Sequence, residues 1–203
     1  MAYIITLSGQ LGSGKSTIGK MLASRLGYTF YSTGNVQREI AARYGVTTLE
    51  LNEMCKTNPN IDKEIDGVFY DLPLNGKDYI VDSRMAFHFI PSSFKVKLNV
   101  DTNVAGERIF NDTQRSGEQK YTVVQDAVDA LLSRRALEVE RFKRIYHVDI
   151  DNDYNFDYVV DTSDKTPEQI CDLILAGFEK FKRRLEIELK QEEAQKISDF
   201  ETE

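Results

Sequence analysis

The stretch Gly9-Gln10-Leu11-Gly12-Ser13-Gly14-Lys15-Ser16 constrains this chain more than any other. It matches the Walker A pattern, a glycine, any four residues, then Gly-Lys and a Ser or Thr, and Thr17 follows it. Upstream, Tyr3 to Leu7 is a short run rich in β-branched and aromatic residues, the composition of a buried parallel strand. Downstream, Ile18, Met21, Leu22 and Leu26 recur at helical spacing, which predicts a helix that Gly27 ends. In that strand, loop and helix order, backbone N–H groups and the helix N-terminus converge on phosphate oxygens. Gly9, Gly12, Ser13, Gly14 and Thr17 are therefore read as nucleotide-binding. Lys15 is expected to reach the β- and γ-phosphates, and the Ser16 hydroxyl to ligate magnesium. The alternative is a chance glycine-rich turn between a strand and a helix.

A chain of 203 residues suits one α/β domain with a real core. Its net charge of −7 and pI near 5.0 argue against nucleic acid or an anionic membrane as the main partner, since both reward a basic surface. Cys55 and Cys171 lie far apart with no metal-ligand spacing, so two free thiols in a reducing, cytoplasmic setting are expected. The N-terminus runs straight into the first strand, and no apolar run approaches membrane-spanning length. A soluble protein is expected, as a monomer in preference to an oligomer.

Beyond the first helix, Tyr28 to Ser32 reads as a second strand. Thr33 is read as the N-cap of a helix that Gly45 stops, and Thr48 as the N-cap of a short helix carrying Leu49, Leu51 and Met54. A third helix over 61–69 shows Ile61, Ile65, Val68 and Phe69 on one face. The span from about 33 to 74 is thus all helix between two strands, and it can close over something. Tyr79 to Asp82 is an apolar strand ending in an acid, followed by Ser83-Arg84. At the carboxyl end of a parallel strand that acid sits beside the glycine-rich loop, where it orders the outer shell of a magnesium ion. A strand-end Asp that only caps a turn is the other reading. Phe94 to Asp101 and Tyr158 to Asp161 complete five strands alternating with helices, which predicts a parallel sheet with ligands at the strands' carboxyl ends.

A helix from about Val104 to Asn111 leads to a polar loop over 113–119 and then to a long helix over about 122–146. Val124, Ala127, Leu131, Phe142 and Ile145 are read as its apolar stripe. Arg134, Glu138 and Arg141 fall within about 60° of one another along the stripe's edge. Two guanidiniums with a carboxylate between them suit a polyphosphate. A salt-bridge ladder on a solvated helix fits the same spacing. Pro167 opens the last helix, a charged helical tail is expected over 181–203, and the polar sequence beyond residue 190 is expected to fray. His88 and His147 lack partners at any ligand or triad spacing and are read as structural.

In order and at these intervals, the pieces resemble the nucleoside monophosphate kinase family, and most closely its short archaeal-type cytidylate kinases. The resemblance covers roughly residues 3–180. It rests on the Walker A run, Ser32-Thr33-Gly34 with Arg38, Ile61-Asp62 repeated as Ile65-Asp66, and Asp82-Ser83-Arg84. Arg134, Glu138, Arg141-Phe142, Ile145-Tyr146, Val148-Asp149-Ile150 and Asp161-Thr162-Ser163 complete it. It implies a three-layer P-loop kinase fold, a five-stranded parallel sheet with helices on both faces, within one domain over 1–180. It also implies a monophosphate-binding segment over about 33–74, served by Thr33, Arg38, Asp66 and Arg84, and a short lid over about 108–119. Arg108 and the loop bearing Ser163 would border the adenine of ATP, while Arg134 and Arg141 neutralise the transferring group. Asn35, Val68 and Asp112 depart from the residues usual in relatives, and Arg115 stands near the last of these.

The implied reaction is ATP plus a nucleoside monophosphate, CMP or dCMP first, giving ADP and the diphosphate, with Mg2+ and no general base. Two other readings compete. A kinase for another small acceptor, such as a sugar acid or another nucleotide, shares the loop, but the pair Arg38 and Arg84 suits a phosphorylated acceptor. A regulatory NTPase shares it too, but the chain has no Asn-Lys-x-Asp motif, and Ser83, not Glu, follows Asp82.

Overall fold

The computed structural model describes residues 2–55, 58–112 and 121–201. Among them, β1 (Ile4–Gly9), β2 (Thr29–Ser32), β3 (Tyr79–Asp82), β4 (Phe94–Asn99) and β5 (Tyr158–Asp161) form one parallel sheet in the order β2-β3-β1-β4-β5. The helices are α1 (Lys15–Leu26), α2 (Thr33–Tyr44), α3 (Thr48–Met54), α4 (Pro59–Asp71), α5 (Ala86–Phe89), α6 (Thr102–Asn111), α7 (Val124–Tyr146) and α8 (Pro167–Glu201). The chain leaves β1 toward one edge, returns to β3 beside it, and then crosses to β4 on its other side. A crevice for ligands opens at the carboxyl ends of the strands where the direction reverses.

Alternation along β1 builds the two faces. Ile5 and Leu7 point to one side, where they meet Ile18 and Leu22 of α1 and Ile170, Ile174 and Phe178 of α8. Ile4 points to the other, toward Phe69 and Leu72 at the end of α4 and Ala86 and Ile90 around α5. Phe178 is fully buried, and its ring meets those of Tyr3, Tyr28, Phe94 and Phe181. Phe178→Ala is expected to destabilise the fold by about 3–5 kcal/mol, because a cavity replaces a ring that packs against four others; a shift of the urea midpoint measures it.

The segment between β2 and β3 is helical, as expected, and carries a small core of its own from Ile40, Ala41, Leu51, Cys55, Ile61 and Ile65. Its caps differ from the sequence reading by one residue. Ser32 is the N-cap of α2 and Thr33 its first helical residue, while Thr47 caps α3 in a reciprocal pair with Glu50. Ile145 is 40% exposed and does not join the stripe of α7; Val139, Phe142 and Tyr146 pack inward instead. The last helix runs on to Glu201, so the charged tail is helical as expected, but without the fraying expected beyond residue 190. Both cysteines are buried, and neither forms a disulfide among the described residues. The lid loop over 113–119, with Arg115, lies outside the described residues.

Candidate active site

The glycine-rich loop closes tightly because its backbone bends where side chains cannot. Gly12 has φ +79°, and a Cβ there would sit 2.7 Å from the Ala105 carbonyl oxygen of α6. Gly9 has φ +138°, and its Cβ would lie 2.4 Å from the Leu98 carbonyl oxygen. Only glycine combines these angles with that approach. The loop delivers the chain to Gly14, the left-handed N-cap of α1, so the N-terminal end of that helix opens onto the hollow. Lys15 opens α1, and its Nζ donates to the carbonyls of Gly9 at 2.6 Å and Gln10 at 2.8 Å. Those bonds lay the ammonium across the mouth of the loop.

Next to Lys15, the Ser16 hydroxyl donates to Asp82 Oδ2 at 2.5 Å. Asp82 ends β3 and is 6% exposed. Ser32 Oγ reaches the same carboxylate oxygen at 3.4 Å, and Thr33 Oγ1 donates to the Asp82 carbonyl at 3.3 Å. The carboxylate therefore faces the loop's serine and does more than cap a turn. An oxygen-only set of one hydroxyl and one carboxylate fits the hard ion magnesium, which takes few protein ligands and fills its shell with phosphate oxygens and water.

On the far side of the loop, Arg108 of α6 donates from Nη2 to the Thr162 carbonyl at 2.6 Å and from Nη1 to the Gly12 carbonyl at 3.3 Å. Thr162, fully buried, donates to the Asn99 carbonyl at 3.0 Å. Arg108 thus ties the loop after β5 to the glycine-rich loop along its in-plane edges. The Ser163 hydroxyl donates to Asp161 at 2.6 Å and accepts from the Asp101 N–H at 2.9 Å. Ser163's hydroxyl and backbone N–H together hold the Asp161 carboxyl below its ordinary range. The Ser163 hydroxyl is occupied in fastening β5 to the start of α6.

The second half of the site is a cleft between α2, the turn after β3 and α7. Thr33, Gln37, Arg84, Arg134, Glu138 and Arg141 are among its walls, closed on the apolar side by Ile65, Met85 and Phe142. Arg84 is anchored through its own carbonyl, which accepts from Ser8 Oγ at 3.2 Å. Its Nε lies 2.7 Å from Glu138 Oε2, and Arg134 Nε lies 3.1 Å from Glu138 Oε1. Burial pushes the Glu138 carboxyl up, but Arg84 and Arg134 pull harder and hold it below its ordinary range. Burial lowers Arg84 against the pull of Glu138. The Arg141 guanidinium carbon stands 5.7 Å from the Phe142 ring centre.

The residues expected from sequence thus separate into clear groups. Lys15, Ser16 and Asp82 meet at the loop; Arg108 and Thr162-Ser163 border it; Thr33, Arg84, Arg134 and Arg141 share the cleft. Arg38 does not line the cleft. It is exposed, and its Nη2 donates to Asn35 Oδ1 at 2.5 Å. The side chain of Asp66 lies outside the described residues. Gln37 escaped the sequence reading although it stands one turn beyond Thr33 on the same face of α2, and Met85 escaped it although it follows Arg84. His88 sits among Phe89 and Tyr146, where burial lowers its pKa, and His147 caps α7 with φ +56°, so both are structural as read.

Comparison with known proteins places this geometry. The model of the cytidylate kinase-like family matches residues 4–72. The cytidylate kinase of Methanocella arvoryzae is 30% identical over 180 residues, taking in 89% of this chain and 99% of that one. An S-adenosylmethionine-dependent nucleotide dehydratase of Lacinutrix mariniflava is 40% identical over 178 residues, 87% of this chain, yet this chain spans only 36% of that longer protein. Among solved structures, shikimate kinase from Acinetobacter baumannii superposes with a TM-score of 0.57 at 19% identity, covering 90% of this chain and 96% of the other. That likeness carries the fold, a P-loop kinase fold with its three layers.

Proposed function

This chain belongs to the cytidylate kinase-like family, and from that premise we propose that it transfers the γ-phosphoryl group of ATP to a nucleoside monophosphate, CMP or dCMP before the others. The observation that carries the proposal is the pairing of two cationic grips across one crevice. Lys15 and the start of α1 supply one at the loop, Arg84, Arg134 and Arg141 line the other, and the two stand near enough that Lys15 adds to the field at Glu138. A neutral hydroxyl acceptor has no use for Arg84 there, buried with its backbone pinned to β1.

In this reading, residues 33–74 hold the monophosphate and Thr33, Arg84 and Asp66 serve it, with Arg38 at the rim. Gly9, Gly12, Ser13, Gly14, Lys15, Ser16 and Thr17 hold the triphosphate of ATP. Ser16, supported by Asp82, would hold Mg2+, which would supply charge neutralisation at the phosphates of ATP. The planar face of Arg108 lies open to the adenine because its in-plane donors are committed to carbonyls. The acceptor phosphate is ionised at neutral pH, so no base is required. Catalysis is alignment plus charge neutralisation, which Lys15, Arg134 and Arg141 supply. Gln37 favours a base with adjacent donor and acceptor, such as cytosine, because a carboxamide offers both at once.

The test is kcat/KM for ADP formation with ATP, Mg2+ and each of CMP, dCMP, UMP, AMP and GMP. CMP or dCMP is expected to lead by about tenfold or more. A lead by another monophosphate, or by shikimate or gluconate, overturns the assignment of the acceptor.

A further inference from the structure

Glu138 is the one acid on the described walls of a cleft that carries Arg84, Arg134 and Arg141. We propose, resting on the reaction just assigned, that Glu138 is a positioning residue that yokes the acceptor-side guanidinium of Arg84 to the transfer-side guanidinium of Arg134. The two arginines come from distant parts of the chain, the turn after β3 and the middle of α7, and one carboxylate spans them. It gives one oxygen to each, Oε2 to Arg84 and Oε1 to Arg134. Arg134 Nε donates to Oε1, and Arg84 Nε lies against Oε2 as an ion pair, so the carboxylate meets each guanidinium at its Nε corner.

Burial separates this arrangement from a surface ladder. The side chains of Arg84, Glu138 and Arg134 are 18%, 17% and 30% exposed, so the pairs are weakly screened and hold their geometry better than solvated ones. The yoke is also grounded, since Ser8 Oγ fixes the Arg84 carbonyl to β1, the strand that feeds the glycine-rich loop. Lys15 adds to the field at Glu138. A continuous chain of contacts therefore runs from β1 through Arg84 and Glu138 to Arg134. Through it, a phosphate that settles on Arg84 sets where Arg134 stands.

Removing the charge should split binding from turnover. Glu138→Gln leaves the cleft more positive, so the KM for the monophosphate is expected to stay level or fall. Loss of alignment is expected to cut kcat by about 10²-fold. A role in folding alone would lower the melting temperature and leave that split absent. Independently of turnover, the Nε–H signals of Arg84 and Arg134 in the 15N spectrum, identified through Arg84→Lys and Arg134→Lys, should both move in Glu138→Gln. The Arg84→Lys protein should also shift the Arg134 signal, a test that needs no change at Glu138. Unchanged kcat, or movement of neither arginine signal, overturns the yoke. If the wild-type protein phosphorylates no monophosphate, the assigned reaction falls, and the spectra alone decide the yoke.

Discussion

Alanine at Arg134 or at Arg141 is expected to lower kcat on the order of 10³-fold, while ATP binding by calorimetry stays close to that of the wild type. The expectation follows from where charge develops. The transferring phosphoryl group spreads negative charge over its equatorial oxygens, and a guanidinium held beside it acts on the transition state more than on bound ATP. Both arginines line the cleft, and neither belongs to the loop or to α1. Arg134→Ala leaves Glu138 with Arg84 as its counterion, so no buried charge is stranded and the protein should still fold. Turnover at the wild-type rate by both variants with every accepted monophosphate contradicts the assignment.

Lys15→Ala is expected to cost about 10²–10³-fold in kcat and to raise the KM for ATP as well. Lys15 differs from the cleft arginines because the donor's phosphates use it in both the ground state and the transition state. The Gly9 and Gln10 carbonyls hold its ammonium at 2.6 and 2.8 Å. Two carbonyls at that spacing orient a compact point charge and not a planar fork, so Lys15→Arg is expected to be nearly as impaired as the alanine variant. Steady-state kinetics on both proteins checks this, and wild-type turnover by either contradicts it.

The glycine-rich loop was legible in the sequence because its demands are local. A strand run, three glycines at fixed offsets and an amphipathic helix fall within two dozen residues. Pro167 was likewise a local signal, and it opens α8 as read. The caps of α2 and α3 slipped because each lies in a pair of hydroxyl residues, Ser32-Thr33 and Thr47-Thr48. For α3 the spacing decides it, since Glu50 stands three residues after Thr47 and not after Thr48. The four-residue helix α5 is too short to show a period. Ile145 was misplaced because Tyr146 stands four residues after Phe142 and shares its face more nearly.

The cleft was legible only in part, for a different reason. Helical spacing put Arg134, Glu138 and Arg141 on one face and left a solvated ladder as an equal reading. The i, i+4 pair between Arg134 and Glu138 does form. What removes it from solvent is Arg84, which arrives from β3 by way of the sheet. No spacing rule connects residues that only the strand order brings together. The same holds for Arg108, whose carbonyl partners lie on the glycine-rich loop and after β5.

The central claim is that the loop and the cleft are two halves of one two-substrate site. Phosphorus NMR of the protein with ATP and Mg2+, first alone and then with CMP, tests it most directly. ATP should persist without an acceptor, and on adding CMP the signals of ADP and CDP should grow together in equal amounts. Release of ADP and inorganic phosphate at a similar rate without any acceptor would contradict the account.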